Sequence, residues 1–224
     1  MEEFDDLIQK PDEDGLLDLS HRAWVKLDDT LWEFGETLLV LNVSYNNVST
    51  LSPGIGELTN LRELDFACNQ LTELPPEIGK CSRLKKLKVN GNRLETLPLE
   101  LENCSLLQEI IASENGMLEI PASIGKLDML KTLKLQNNNL KELPPELGDC
   151  LSLEVVDVTI NSDLEMIPEK LRADAKLILW TCQNIKGESF ADWVCQGQTG
   201  FILSLSLRPL MASFALVFPS HSTV

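Results

Sequence analysis

Asparagine returns at one fixed interval through the middle of this chain, at Asn46, Asn69, Asn92, Asn115, Asn138 and Asn161, each 23 residues after the one before. A period of that size marks a chain built by stacking one small unit, which restricts this stretch to a repeat architecture. The apolar residues keep the same beat. Leu38, Leu61, Leu84, Leu107, Leu130 and Leu153 stand eight residues before the asparagines. Leu41, Leu64, Leu87, Ile110, Leu133 and Val156 stand five before them, and Val43, Phe66, Val89, Ala112, Leu135 and Val158 three before. Leu71, Leu74, Pro75 and Ile78 show the part that follows, so the full pattern reads LxxLxLxxNxLxxLPxxI.

The LxL alternation has the period of two of a strand with one buried face, so each unit contributes one short strand. The Asn that follows carries both donors and an acceptor, and can satisfy backbone groups where the chain leaves the sheet. Proline then ends strand-like pairing, and PxxI forms a short helical or 3₁₀ turn on the outer side. No single unit can bury its own apolar side, so neighbouring units supply the core by stacking.

The segments LRELDFACNQLTELPPEIG and LKTLKLQNNNLKELPPELG closely resemble the 23-residue leucine-rich repeats of intracellular proteins such as Scribble, Ras suppressor protein and the plant Ras-group-related proteins. The resemblance covers about 60% of the chain. It implies an α/β leucine-rich repeat solenoid, curved, with a parallel sheet on its concave face and short turns on its convex face. For some members it also implies association with small GTPases or with polarity and signalling complexes. One scaffold of this kind hosts many partners.

Charge bears on the partner. The chain has 19 Lys plus Arg against 35 Asp plus Glu, a net charge of −16, which argues against nucleic acid or an anionic membrane and favours either basic or mixed protein partners or simply the solubility of an elongated chain. Cys81, Cys104 and Cys150 share one phase of the repeat, held by Leu58 and Leu127 elsewhere, and read as small buried hydrophobes. There is no CxxC pair, and His21 and His221 are the only histidines, so neither metal nor cofactor is expected. The acidic start, MEEFDDLIQK, lacks the features of a secretory signal, and with free thiols it indicates the cytosol or nucleus.

In chain order, residues 1–14 read as an acidic, solvated tail. Residues 15–37 read as a degenerate capping repeat in which Leu17, Leu19, Trp24, Leu27 and Leu31 keep the apolar positions and Arg22 replaces Asn. Trp32 and Phe34 are expected to bury the first coil. Six repeats follow over 38–172, slipping by one residue after Asn161, and 173–192 reads as a C-terminal cap. There AKLILWTCQN, residues 175–184, is expected to form one last strand, with Trp180 over the open end of the core. The last stretch, 193–224, is apolar with Arg208 its only charge. A tail anchor over 201–218 is disfavoured because Arg208 and Pro209 fall near its middle, so this stretch reads as a poorly ordered tail.

Residues beside the buried leucines of each strand face away from the core, which makes the concave face readable. One column is Val40, Glu63, Lys86, Glu109, Thr132, Val155; the next is Asn42, Asp65, Lys88, Ile111, Lys134, Asp157; the third is Ser44, Ala67, Asn90, Ser113, Gln136, Thr159. Glu63, Asp65, Lys86, Lys88, Glu109, Ile111, Lys134, Gln136 and Asp157 are the candidate protein-binding residues. Opposite charges on adjacent strands could fix a partner's register. They could equally neutralise one another, each exposed pair contributing at most about 1 kcal/mol. Ile111 is an apolar residue in the centre of a polar face. No GxxxxGK[ST], GxGxxG, GxSxG or HExxH motif occurs, so no catalytic residues are nominated. The reading adopted is a non-enzymatic intracellular scaffold or adaptor, with small-GTPase signalling implied by resemblance alone. The alternative is a regulatory or substrate-recognition subunit of a phosphatase or ubiquitin ligase.

Overall fold

The structure is a computed structural model that describes residues 10–164, 167, 169 and 172–184. Most of the acidic tail and all of 193–224 lie outside the described residues. Seven three-residue strands form one parallel sheet in strict sequence order: β1 (Leu16–Asp18), β2 (Val40–Asn42), β3 (Glu63–Asp65), β4 (Lys86–Lys88), β5 (Glu109–Ile111), β6 (Thr132–Lys134) and β7 (Val155–Asp157). The central residue of every strand is buried while its two neighbours face outward. Pairing is in register, with Leu64 on Leu87, Leu87 on Ile110 and Ile110 on Leu133. Between β1 and β2 the offset is one residue longer, Leu17 lying on Leu41.

The return path of each regular coil is a 3₁₀ segment: Pro53–Glu57, Pro76–Lys80, Leu99–Asn103, Ala122–Lys126 and Pro145–Asp149. In four of them the preceding proline, Pro75, Pro98, Pro121 or Pro144, is the N-cap in extended backbone, where its fixed φ suits the entry and its missing N–H costs nothing. Ile55, Ile78, Leu101, Ile124 and Leu147 project from these segments into the core and are fully buried. Cys81, Cys104 and Cys150 follow and are also fully buried. Each thiol donates to a carbonyl of the preceding coil: Cys81 Sγ to Ile55 O at 3.3 Å, Cys104 Sγ to Ile78 O at 3.5 Å and Cys150 Sγ to Ile124 O at 3.1 Å. These cysteines are therefore core residues with a weak polar link, which Leu58 and Leu127 at the same phase lack.

At the first coil a longer 3₁₀ stretch, Asp29–Thr37, buries Leu31 and Trp32, and Phe34 packs against the core. Trp32 Nε1 donates to Asp29 Oδ1 at 3.1 Å, which satisfies the indole as its ring is buried. The ring lies against Gly54 so closely that a Cβ there would stand 2.3 Å from Trp32 Cδ1. Glycine at 54 is thus a packing requirement.

The far end corrects one expectation. Residues Ala175–Asn184 form a ten-residue α-helix, α1, and not a strand. Its buried residues Leu177, Ile178, Thr181 and Cys182 recur with helical spacing, and Asp174 Oδ1 accepts from Leu177 N at 3.0 Å as a cap. An apolar run of this length does not distinguish strand from helix by composition; the acidic cap and the 3.6-residue spacing decide. Trp180 does pack against the core, half-buried. Below α1 the side chain of Arg172, itself buried, donates from Nε to Ile167 O at 2.9 Å and from its terminal nitrogens to Asn161 O and Leu164 O. One guanidinium thereby satisfies three carbonyls that a further coil would otherwise have to meet.

Candidate functional site

The Asn column builds the wall from which the outward-facing residues project. Asn92 Nδ2 donates to Val89 O of its own coil at 3.0 Å and to Phe66 O of the preceding coil at 2.9 Å, while its Oδ1 accepts from Leu71 N at 2.9 Å. Asn69, Asn115, Asn138 and Asn161 repeat this set, and Asn46 uses its Oδ1 to accept from Arg22 N and Trp24 N. Each amide joins two coils, so the sheet face is held to a fixed spacing. The residue before each Asn must adopt left-handed backbone to aim the amide inward. Tyr45, Cys68, Glu114, Asn137 and Ile160 have φ between 55° and 58°, and Gly91 has 67°. Only Gly91 and Asn137 suit that conformation; for Ile160 it is sterically costly.

On the face itself the register places Glu63 beside Lys86 and Asp65 beside Lys88. Lys86 Nζ lies 2.9 Å from Glu63 Oε1 and Lys88 Nζ 3.4 Å from Asp65 Oδ2. The hydrogen bond and charge of Glu63, with a smaller contribution from Glu109, raise the Lys86 pKa. Both pairs are substantially exposed, so they neutralise the β3–β4 half of the face at little gain in stability.

The β5–β7 half differs. Lys134 stands between Ile111 and Asp157 in the register and makes no ion pair among the described residues. Asp157 Oδ1 is turned back to accept from Thr159 N at 3.0 Å and Thr159 Oγ1 at 2.6 Å. Gln136 Oε1 is buried without a hydrogen-bond partner. Glu109 and Thr132 complete the neighbouring column.

Ile111 is half-buried, flanked by Lys88 and Lys134, so it is not the main apolar feature of the face. That feature lies one end further on, where Val155 is 45% exposed and Ile160, at the rim, 65% exposed. Both sit in columns the repeat defines, but the period says nothing about how much of each the end of the sheet leaves uncovered. At the opposite end of the same rim Tyr45 is exposed and stacks on His21 with ring centroids 4.5 Å apart.

A cleft of about 630 Å³ opens on the Asn side of the central coils, lined by Arg93, Glu95, Glu114, Asn115, Leu118 and Asn139 among others. Gly116 lies in its lining, where its φ is not positive and a Cβ would meet nothing nearer than Leu94 O at 3.7 Å. Asn115 beside it is half-buried where the other five asparagines of the column are buried.

Among the described residues no group of three or more His, Cys, Asp or Glu is placed to hold a metal ion, and no helix is long and apolar enough to cross a membrane.

Family models for leucine-rich repeats match residues 36–78, 59–103 and 129–150. Among solved structures, a leucine-rich repeat protein of Leptospira interrogans is 30% identical with a TM-score of 0.63, covering 64% of this chain and 36% of its own. The leucine-rich repeat ectodomain of the Arabidopsis thaliana receptor kinase GASSHO1/SCHENGEN3, in complex with Casparian strip integrity factor 2, is 31% identical with a TM-score of 0.55, covering 59% of this chain and 16% of its own. A plant peptide hormone receptor in complex with RGF2 is 27% identical with a TM-score of 0.56, covering 60% and 22% respectively. The chain therefore spans well under half the length of these proteins. No curated protein matches the chain.

Proposed function

We propose that this leucine-rich repeat solenoid is a protein-binding scaffold that holds an extended segment of a partner across the β5–β7 half of its outward-facing sheet. The observation that carries this is the combination on that half of Lys134 without a counter-ion, Gln136 Oε1 without a donor and Val155 exposed, while the β3–β4 half is already internally paired. A partner that supplies an acceptor for Lys134 and an apolar side chain for Val155 and Ile111 satisfies these together, and the Gln136 amide has to turn its covered oxygen outward to accept an N–H from the same partner. Two of the structurally similar receptors are in complex with another molecule named with them, which is consistent with a binding role for this architecture.

The test is affinity capture compared between the wild-type chain and an Ile111→Asp, Lys134→Glu variant, with melting curves to show that both are folded. Loss of the captured proteins supports the site. Undiminished capture rejects it. The finer readings, an adaptor in small-GTPase signalling within the cytoplasm or a recognition subunit of a phosphatase or ubiquitin ligase, separate by what is captured. A GTPase that binds in one nucleotide state favours the first, and an enzyme whose recovery is lost on trimming to residues 15–192 favours the second.

A further inference from the structure

The edge of the sheet at the N-terminal ends of the strands has a character opposite to that of the chain as a whole. The residue before each strand stacks from coil to coil through the ladder: Lys85 N donates to Arg62 O at 2.7 Å, Gln108 N to Lys85 O at 2.8 Å and Lys131 N to Gln108 O at 2.9 Å. Two residues earlier, Arg83, Leu106 and Met129 form a second row alongside the first. Arg62, Arg83, Lys85 and Lys131 are all exposed, and none of them makes an ion pair among the described residues. The other lysines at this part of the molecule are occupied, Lys86 and Lys88 on the face and Lys126 on Glu102 at 2.8 Å. Leu106 is 37% and Met129 41% exposed. In a chain of net charge −16, four unpaired cations stacked beside two exposed apolar side chains form a distinct strip. Of the acidic residues nearby, Glu36 stands beside Asn60 at the near end, Glu63 and Glu109 stand in the adjoining face column, and Asp128 and Glu154 lie at the far end, so the cations of the strip itself occupy its middle.

We infer that this strip binds a short acidic segment of a partner protein that also carries apolar side chains, at a site separate from the outward-facing sheet. Charge selects the class. The strip attracts carboxylates, and the opposing field of a chain of net charge −16 is least for a short segment with a few of them and greatest for the extended anionic surface of a membrane or nucleic acid. Arg62 to Lys131 spans three strand spacings, about 14 Å, which an extended segment covers in four to five residues. Carboxylates on one side of such a segment meet Arg62, Lys85 and Lys131, while its apolar side chains cover Leu106 and Met129.

The probe is a displayed library of random dodecapeptides selected on the full chain. The expected pool is enriched in Asp and Glu together with Leu, Ile or Phe, and its binding weakens as salt is raised. A Lys85→Glu, Lys131→Glu variant loses at least about tenfold in binding of that pool, and a Leu106→Ser, Met129→Ser variant about fivefold. The Ile111→Asp, Lys134→Glu variant of the sheet face binds it as the wild type does. Because every substituted side chain is at least partly exposed, unchanged melting curves accompany each variant. An unenriched or basic pool, or equal binding by the charge-reversed variant, overturns the assignment. So does a pool lost with the sheet-face variant. Strip-dependent binding of phosphatidylserine vesicles, or self-association lost on charge reversal, would assign the strip to a membrane or a second copy and overturn it too.

Discussion

Ile160 carries a φ of 55° with its side chain 65% exposed, so a β-branched residue holds left-handed backbone without a compensating burial. The strain is of the order of 1 kcal/mol. Ile160→Gly should therefore raise stability by about 1 kcal/mol in urea denaturation, because glycine adopts that backbone freely and little apolar contact is lost. The opposite sign is expected at Asn92. Its replacement by Ala leaves Leu71 N without a partner in a buried wall and takes from Phe66 O one of its two amide donors, the other being Asn69 Nδ2, and should cost about 1 to 3 kcal/mol. Arg172→Met should cost about 3 kcal/mol, since Ile167 O and Leu164 O lose the guanidinium donor and Asn161 O is left with Leu164 N alone, and Arg172→Lys should restore little because an ammonium cannot reproduce the planar fork. The asparagines are legible in the sequence through their period. Arg172 is not, because nothing in its neighbourhood repeats and its partners come from a turn whose path the slip after Asn161 obscures.

Elements show the same division. The strands and 3₁₀ turns of the regular coils follow from LxL and PxxI, whose spacing repeats closely enough to be read without coordinates. Helix α1 is a single element with no second copy to compare, and its run of Leu177, Ile178 and Leu179 alternates as well as it spirals. Asp174→Ala, which removes the cap on Leu177 N, should lower stability by about 1 kcal/mol and reduce the helical signal in circular dichroism. At the other end Gly54→Ala places a Cβ 2.3 Å from the Trp32 ring and should destabilise by about 2 kcal/mol. Combining it with Trp32→Leu should recover part of that loss, which separates a steric clash from a loss of backbone freedom.

At the scale of the whole molecule, the four buried thiols among the described residues couple stability to alkaline pH. Burial pushes Cys81 and Cys182 up to about 12 and Cys104 and Cys150 to about 11, against 9.0 for an unperturbed thiol. Above pH 9 the unfolded chain sheds these protons while the folded chain keeps them, so the unfolded state gains. Stability is expected to be undiminished by this cause below pH 9 and to fall progressively between pH 9 and 12. Urea titrations at a series of alkaline pH values would show it, and a Cys81→Ala, Cys104→Ala variant should show a shallower decline. At neutral pH the half-buried Cys68, whose thiol lies at the rim, should react with a thiol reagent well before the four buried ones.

The amino-acid order by itself determined the coil, its strand, its turn, the inward Leu and Asn columns and the identity of the outward columns, because each of these is a local period repeated many times. Tertiary structure decided what has no period. It turned residues 175–184 into a helix, set Arg172 beneath it, left Val155 and Ile160 uncovered at the end of the sheet and placed Lys134 without a counter-ion. The physical reason is the same in each case. A repeat fixes which side chains share a column, but exposure and charge pairing depend on what the neighbouring coil presents, and at the ends of the stack the neighbour is a different element.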